Sequence, residues 1–106
     1  MVKTAIKKFN LIVRNLKPYS PKKVILFGSH VRGEQVNDSD IDLLIIKDTK
    51  KTQYKRIPEA RSYLYDIDSA FDILVMTSKE VEKRLMLGDF FIKNILEKGR
   101  LLYEAK

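Results

Sequence analysis

Three short apolar runs constrain this 106-residue chain more than anything else in it: Lys23-Val24-Ile25-Leu26-Phe27, Asp40-Ile41-Asp42-Leu43-Leu44-Ile45-Ile46 and Ala70-Phe71-Asp72-Ile73-Leu74-Val75-Met76. Each is aliphatic and too short for a buried helix, and Pro21 and Gly28 fence the first, so the runs predict buried strands. Between them the spacing turns helical. Val2, Ile6, Phe9, Val13 and Leu16 recur at intervals of three and four, one apolar stripe that Pro18 and Pro21 terminate. A short helix is expected to open at Gly28-Ser29, and Gly33 and Asn37-Asp38-Ser39 read as loop. Residues 53–65 predict a helix with Pro58 in its first turn or at a kink. Thr77 or Ser78 caps the next helix, with Thr77-x-x-Glu80 as a capping box and Val81, Leu85 and Met86 as its apolar face. A last helix runs from about Asp89 to Glu97, with Phe90, Phe91, Ile95 and Leu96 apolar and Gly99 as its stop, and Arg100 to Tyr103 can add a short final strand. This alternation predicts one α/β (α+β) domain over residues 1–106, a small mixed sheet flanked by helices.

Composition narrows the chemistry. The chain has no cysteine and a single histidine, His30, which excludes disulfides, thiolate chemistry and zinc–thiolate sites. No apolar run approaches the roughly 20 residues of a membrane span, and the N-terminus has no apolar signal core, so a soluble cytoplasmic protein without membrane contact is expected. Lys and Arg number 21 against 14 Asp and Glu, and residues 1–33 hold eight bases and no acid. Such a surface attracts phosphates, of a nucleotide or a nucleic acid, or an acidic partner; it also serves simply as a solvated helix face.

The residues that carry chemistry lie between Gly28 and Asp72. Asp40 and Asp42 are two apart on a predicted strand and leave the same face, while Ile41 and Leu43 point into the core. Two carboxylates on one face repel unless a cation sits between them, and oxygen ligands of this kind suit Mg²⁺ or Mn²⁺. Asp72, inside an apolar strand, is costly unless paired or metal-bound. Were its strand to neighbour that of Asp40 and Asp42, three acids would converge, enough for two metal ions about 4 Å apart. Asp66 and Asp68 compete for the third place, but they fall in a polar segment where an acid needs no special reason. At the other end, a strand that ends in Gly28-Ser29 and opens into a helix offers backbone N–H groups, a hydroxyl and a close backbone approach to a phosphate. Arg32, one turn on, can hold a phosphate oxygen. His30 has no assigned role, and a surface position is its ordinary fate.

Gly28-Ser29, ten residues, then Asp40-Ile41-Asp42 and a later Asp72 in a strand resembles the minimal nucleotidyltransferases (MNT) of the DNA polymerase beta superfamily. The resemblance extends through Gly28-Ser29-His30-Val31-Arg32-Gly33 and Ser39-Asp40-Ile41-Asp42-Leu43-Leu44-Ile45, and covers about Lys23 to Met76 strongly. It implies the polymerase-beta-like nucleotidyltransferase fold, ATP as donor and two Mg²⁺ ions. By similarity, Gly28 and Ser29 hold the β- and γ-phosphates, Asp40 and Asp42 ligate the metals, and Asp72 completes the site and helps activate the attacking hydroxyl. A chain of this size has no room for a domain that grips the acceptor. Small members of the resembling family are frequently paired with helical HEPN toxins, and the resemblance implies an antitoxin that transfers AMP to a tyrosine of such a toxin. That is the expected function. The alternatives are transfer to a small molecule or an RNA end, with RNA not favoured as a partner, and an antitoxin that acts by binding alone. An exposed Phe90 or Phe91 would be a candidate docking contact, with core packing expected for at least one of them.

Overall fold

The structure is a computed structural model that describes residues 3–32 and 40–106, with backbone alone at 3–6 and at 32. A helix, α1 (Lys3–Leu16), passes through a 3-10 turn (Lys17–Tyr19) into strand β1 (Lys23–Phe27). Then follow α2 (Ser29–Arg32), β2 (Ile41–Ile46), α3 (Gln53–Ser62), β3 (Phe71–Met76), α4 (Ser78–Met86), α5 (Phe90–Lys98) and β4 (Arg100–Glu104). The four strands form one mixed sheet in the order β3-β2-β1-β4. β1 runs antiparallel to both β2 and β4, whereas β2 and β3 are parallel, joined by the crossover through α3. The expected final strand is therefore real and forms an edge. The expected loop at Gly33 and residues 37–39 lies outside the described residues.

Strand alternation divides the core into two layers. Val24, Leu26, Ile41, Leu43, Ile45, Ile73 and Val75 face α1 and α3 and bury Phe9, Ile12, Leu16, Ala60 and Leu64 with them. Ile25, Leu44 and Ile46 face the other way, onto Val81, Ile92 and Ile95 of α4 and α5. Ile41 and Leu43 thus point into the core as the alternation predicted. The stripe on α1 is shifted slightly: Ile12 is fully buried at its centre and Val13 sits half-buried at the flank.

Caps set the phase of the last two helices. The Thr77 hydroxyl accepts from the Glu80 N–H (3.1 Å), and the Glu80 carboxylate accepts from the Thr77 N–H (2.8 Å), the reciprocal box that the sequence predicted. Asp89 is the N-cap of α5, its carboxylate accepting from the Ile92 N–H at 3.1 Å. That phase turns Ile92 and Ile95 inward and leaves Phe90 and Phe91 82% and 56% exposed, so neither phenylalanine packs in the core as expected for at least one. On α4 only Val81 is buried; Leu85 and Met86 are exposed instead of completing an apolar face. α3 ends at Ser62, three residues early, and Pro58 lies in its interior. Gly99 stops α5 without a left-handed conformation: its requirement is close approach, since a Cβ there would lie 2.3 Å from the Ile95 carbonyl and 2.7 Å from the Ile25 Cγ2.

Among the ion pairs of the described residues, that of Arg56 has a buried partner, the arginine itself. Its guanidinium donates to the Lys51 carbonyl (2.6 Å) and to Glu80 (2.7 Å), tying α3 to the cap of α4. That hydrogen bond holds the Glu80 carboxyl below its ordinary range. Among the described residues, no helix is long and apolar enough to cross a membrane.

Candidate active site

The parallel register of β2 and β3 sets Asp42 directly opposite Asp72. Neighbouring strands lie about 4.8 Å apart, and opposite residues share a face, so the two carboxylates stand side by side. β2 begins at Ile41, whose N–H bonds to the Ala70 carbonyl (2.9 Å), so Asp40 falls one residue before the strand and is exposed. Asp72 is exposed as well: helices α4 and α5 cover the Leu44 and Leu74 end of this face and leave Asp72 open. The desolvation that the sequence assigned to Asp72 is therefore absent, while the adjacency of its strand to that of Asp42 holds. Asp66 accepts from the Asn15 side chain at 2.9 Å, and the Asp68 carbonyl from Lys8 at 3.4 Å, which ties that segment to α1 on the opposite side of the sheet.

Gly28 follows β1 at φ +81°, a left-handed conformation that favours glycine. A Cβ placed there would meet the Asp42 Oδ2 at 2.1 Å. Backbone and carboxylate are thus in direct contact, with no room for a side chain between them. Ser29 opens α2, a single turn of four residues, so the expected helix-end dipole is small and the serine hydroxyl and the turn's N–H groups carry the polar character of this corner. Arg32 closes α2, and its side chain lies outside the described residues. The His30 ring packs edge-on against Phe9 of α1 (6.5 Å between centroids), which turns it toward the α1 layer.

Gly28, Ser29, Phe27 and Asp42 form one wall of a cleft of about 420 Å³. The opposite wall is α5, through Phe91, Asn94, Ile95 and Lys98. Phe91 meets Phe27 edge to face at 5.9 Å. Asn94 and Lys98 are site residues that sequence reasoning missed. Their signal was the spacing Phe91, Asn94, Lys98, which places all three on one side of a helix. The basic excess is elsewhere. Lys7 and Arg14 project from α1, behind the sheet, and Lys22 and Lys23 pair with Asp48 and Glu104.

Among the described residues, no three carboxylate or imidazole groups are gathered closely enough to hold a metal ion by themselves. The donor set still fits Mg²⁺, which keeps several waters and binds through one or two carboxylates plus substrate phosphates rather than in a complete protein cage. Asp42 and Asp72 supply such a pair, and the cleft that Gly28 and Ser29 line beside Asp42 has space for a phosphate.

A cleft beside paired carboxylates on β2 and β3, with a glycine-serine corner, is the arrangement of a nucleotide-transferring α/β enzyme. The family model described as "Polymerase beta, Nucleotidyltransferase" matches residues 10–106, and the chain belongs to that family of nucleotidyltransferases. Two relatives from Methanocaldococcus jannaschii, each provisionally named a protein adenylyltransferase, are similar to it. One is 32% identical, covering 93% of this chain and 95% of its own length; the other is 29% identical, covering 91% and 89%. Among solved structures, the chain resembles a toxin–antitoxin structure with AMP-PNP (TM-score 0.63, 23% identity, 92% of this chain and 74% of that one). It also resembles a Sulfolobus solfataricus structure provisionally described as a nucleotidyltransferase (TM-score 0.63, 20% identity, 99% and 91%). A third is an MNT antitoxin in complex with a tri-AMPylated Shewanella oneidensis HEPN toxin (TM-score 0.57, 20% identity, 92% and 71%). These likenesses bear out the polymerase-beta-like fold expected from the motif.

Proposed function

We propose that this nucleotidyltransferase is an antitoxin that transfers AMP from ATP to a tyrosine of a HEPN-type toxin. The observation that carries the reading is the juxtaposition of Asp42 with Asp72 across parallel strands, with the Gly28 backbone against Asp42 at the mouth of the cleft. The names of the relatives, and the MNT–HEPN and AMP-PNP complexes among the structural neighbours, support the donor and the acceptor class.

Gly28 and Ser29 bind the β- and γ-phosphates, with Arg32 as a further phosphate contact, and Asp40, Asp42 and Asp72 present the oxygen ligands for Mg²⁺, or Mn²⁺ in its place. The metal supplies charge neutralisation at the α-phosphate and the leaving group. The tyrosine oxygen bonds to the α-phosphorus, the bond to the β-phosphate oxygen breaks, and pyrophosphate leaves. Asp72 takes the tyrosine proton. The protein's own contribution is to hold donor and hydroxyl in line.

The acceptor docks from outside, and the turn between α4 and α5 offers it apolar surface: Met86 and Phe90 are 87% and 82% exposed, with Leu87 beside them. Large apolar side chains this exposed and this near in sequence suit a contact with a partner. The test is incubation of a HEPN-type toxin with ATP, Mg²⁺ and the chain, followed by intact mass spectrometry. Gains in steps of one AMP, absent with Asp42→Asn, are expected. Neutralisation of the toxin without any mass gain would refute transfer and leave binding alone.

A further inference from the structure

We propose that the cleft-facing row of α5, Phe91 and Lys98 with Asn94 between them, is the nucleotide clamp of this enzyme, Lys98 gripping the triphosphate and Phe91 stacking on the base. The inference rests on the reading that the cleft takes ATP. Among the described residues that line the cleft, Lys98 is the one cation, and it stands across from Gly28 and Ser29. A triphosphate brings more negative charge than a serine hydroxyl and backbone amides balance, and a lysine ammonium is the usual point charge for it. Gly99 fixes where that lysine starts, because its Cα packs against Ile25 and the Leu26 carbonyl beside the β4 edge of the sheet.

Phe91 sits at the other end of the row. It lines the catalytic cleft and also a second cavity bounded by Leu74, Met76 and Ile92, so it lies toward the β3 side. Lys98 lies seven helical positions beyond Phe91, a rise of about 10 Å, which an extended nucleoside triphosphate spans. The order across the sheet is then coherent. The distal phosphates lie by Lys98 and Gly28-Ser29, the α-phosphate lies by Asp42 and Asp72, and the base lies by Phe91. The ring of Phe91 is 56% exposed and braced edge-on by Phe27, so one aromatic surface is held ready. Aromatic stacking accepts any base, so Phe91 adds affinity without selecting adenine.

The test is calorimetric titration of the intact chain with Mg²⁺-ATP and with AMP, and competition by tripolyphosphate. Lys98→Gln is expected to weaken ATP and tripolyphosphate about tenfold, the loss of one charge-assisted contact at a partly solvated site, and AMP less than about twofold. Phe91→Leu is expected to weaken ATP and AMP alike, about fivefold to tenfold, and to leave tripolyphosphate unchanged. Both side chains are exposed, and thermal unfolding of each variant checks that the fold is kept. Wild-type ATP affinity in Lys98→Gln would overturn the clamp and reduce Lys98 to a favourable charge at a helix C-terminus. Equal losses for all three ligands in either variant would overturn it too. A wild-type chain that binds neither ATP nor AMP overturns the functional reading, and this one with it.

Discussion

Replacing Gly28 with alanine separates two costs that the structure combines at one residue. The first is backbone strain: at φ +81° an L-residue costs about 1–2 kcal/mol. The second is collision, because the new Cβ falls 2.1 Å from the Asp42 Oδ2. The carboxylate can yield by rotating off its rotamer, for about 0.5–1.5 kcal/mol. Gly28→Ala should therefore destabilise the domain by about 1.5–3.5 kcal/mol, a fall of roughly 6–28 °C in Tm at about 4–8 °C per kcal/mol for a small domain. Gly88 is the internal control. It has φ +78°, and a Cβ added there would meet nothing within 4 Å, so Gly88→Ala should show the strain alone, about 1–2 kcal/mol. Urea unfolding of both variants measures the difference. Activity separates them further, since displacing a carboxylate proposed to hold the metal by about 1 Å should cost on the order of a hundredfold. Gly28→Ala, assayed where it is fully folded, should lose at least that factor, and Gly88→Ala, in the proposed docking turn and away from the acids, should lose clearly less. Equal stability and equal activity in the two variants would refute the claim that Gly28 exists to admit Asp42.

Two further outcomes follow from groups away from the cleft. The Tyr19 hydroxyl is buried with no hydrogen-bond partner among the described residues, and burial, with the Glu59 charge second, pushes its pKa to about 12. Tyr19→Phe should stabilise the fold or leave it unchanged, by up to about 1 kcal/mol in urea unfolding, and in the wild type one tyrosine should ionise late in a spectrophotometric titration. Stability held by the neutral phenol is present below pH 10 and lost as the pH rises toward 12. Asp48 is lowered to about 2, first by its hydrogen bond with Lys22 and then by the Ser78 N–H at the start of α4. Its contribution is present above about pH 4 and lost as the pH falls toward 2, so Asp48→Asn should flatten the acid limb of a stability–pH curve in that window.

The sheet was legible because its strands are nearly pure aliphatic runs between turn residues, and the cap at Thr77 because its box is a local pattern. The orientation of α4 and α5 was not. Val81, Leu85 and Met86 suit one helical face, yet Leu85 and Met86 are exposed, since Gly88 at φ +78° and the Asp89 cap break the chain into two helices whose phases are set separately. The same break releases Phe90 and Phe91 from the core. In the site, Asp42 and Gly28 were legible through spacing, and Asp72 was named for a burial it does not have. What puts it beside Asp42 is strand order, a nonlocal property that no spacing encodes. Asn94 and Lys98 escaped notice because their spacing with Phe91 marks a shared helix face, and what that face looks onto is fixed only when α5 is laid against the cleft.

The central claim is that paired acids on β2 and β3 perform adenylyl transfer, and Asp72→Asn tests it most directly. Two like charges in register destabilise a sheet, so removing one should leave the metal-free protein as stable as the wild type or slightly more so. The measurement is transfer of label from α-labelled ATP to a HEPN-type toxin, the proposed acceptor, in Mg²⁺, on protein whose unfolding curve has been recorded. The account predicts undiminished stability with transfer reduced by at least about a hundredfold. Wild-type transfer by a folded Asp72→Asn variant would contradict it.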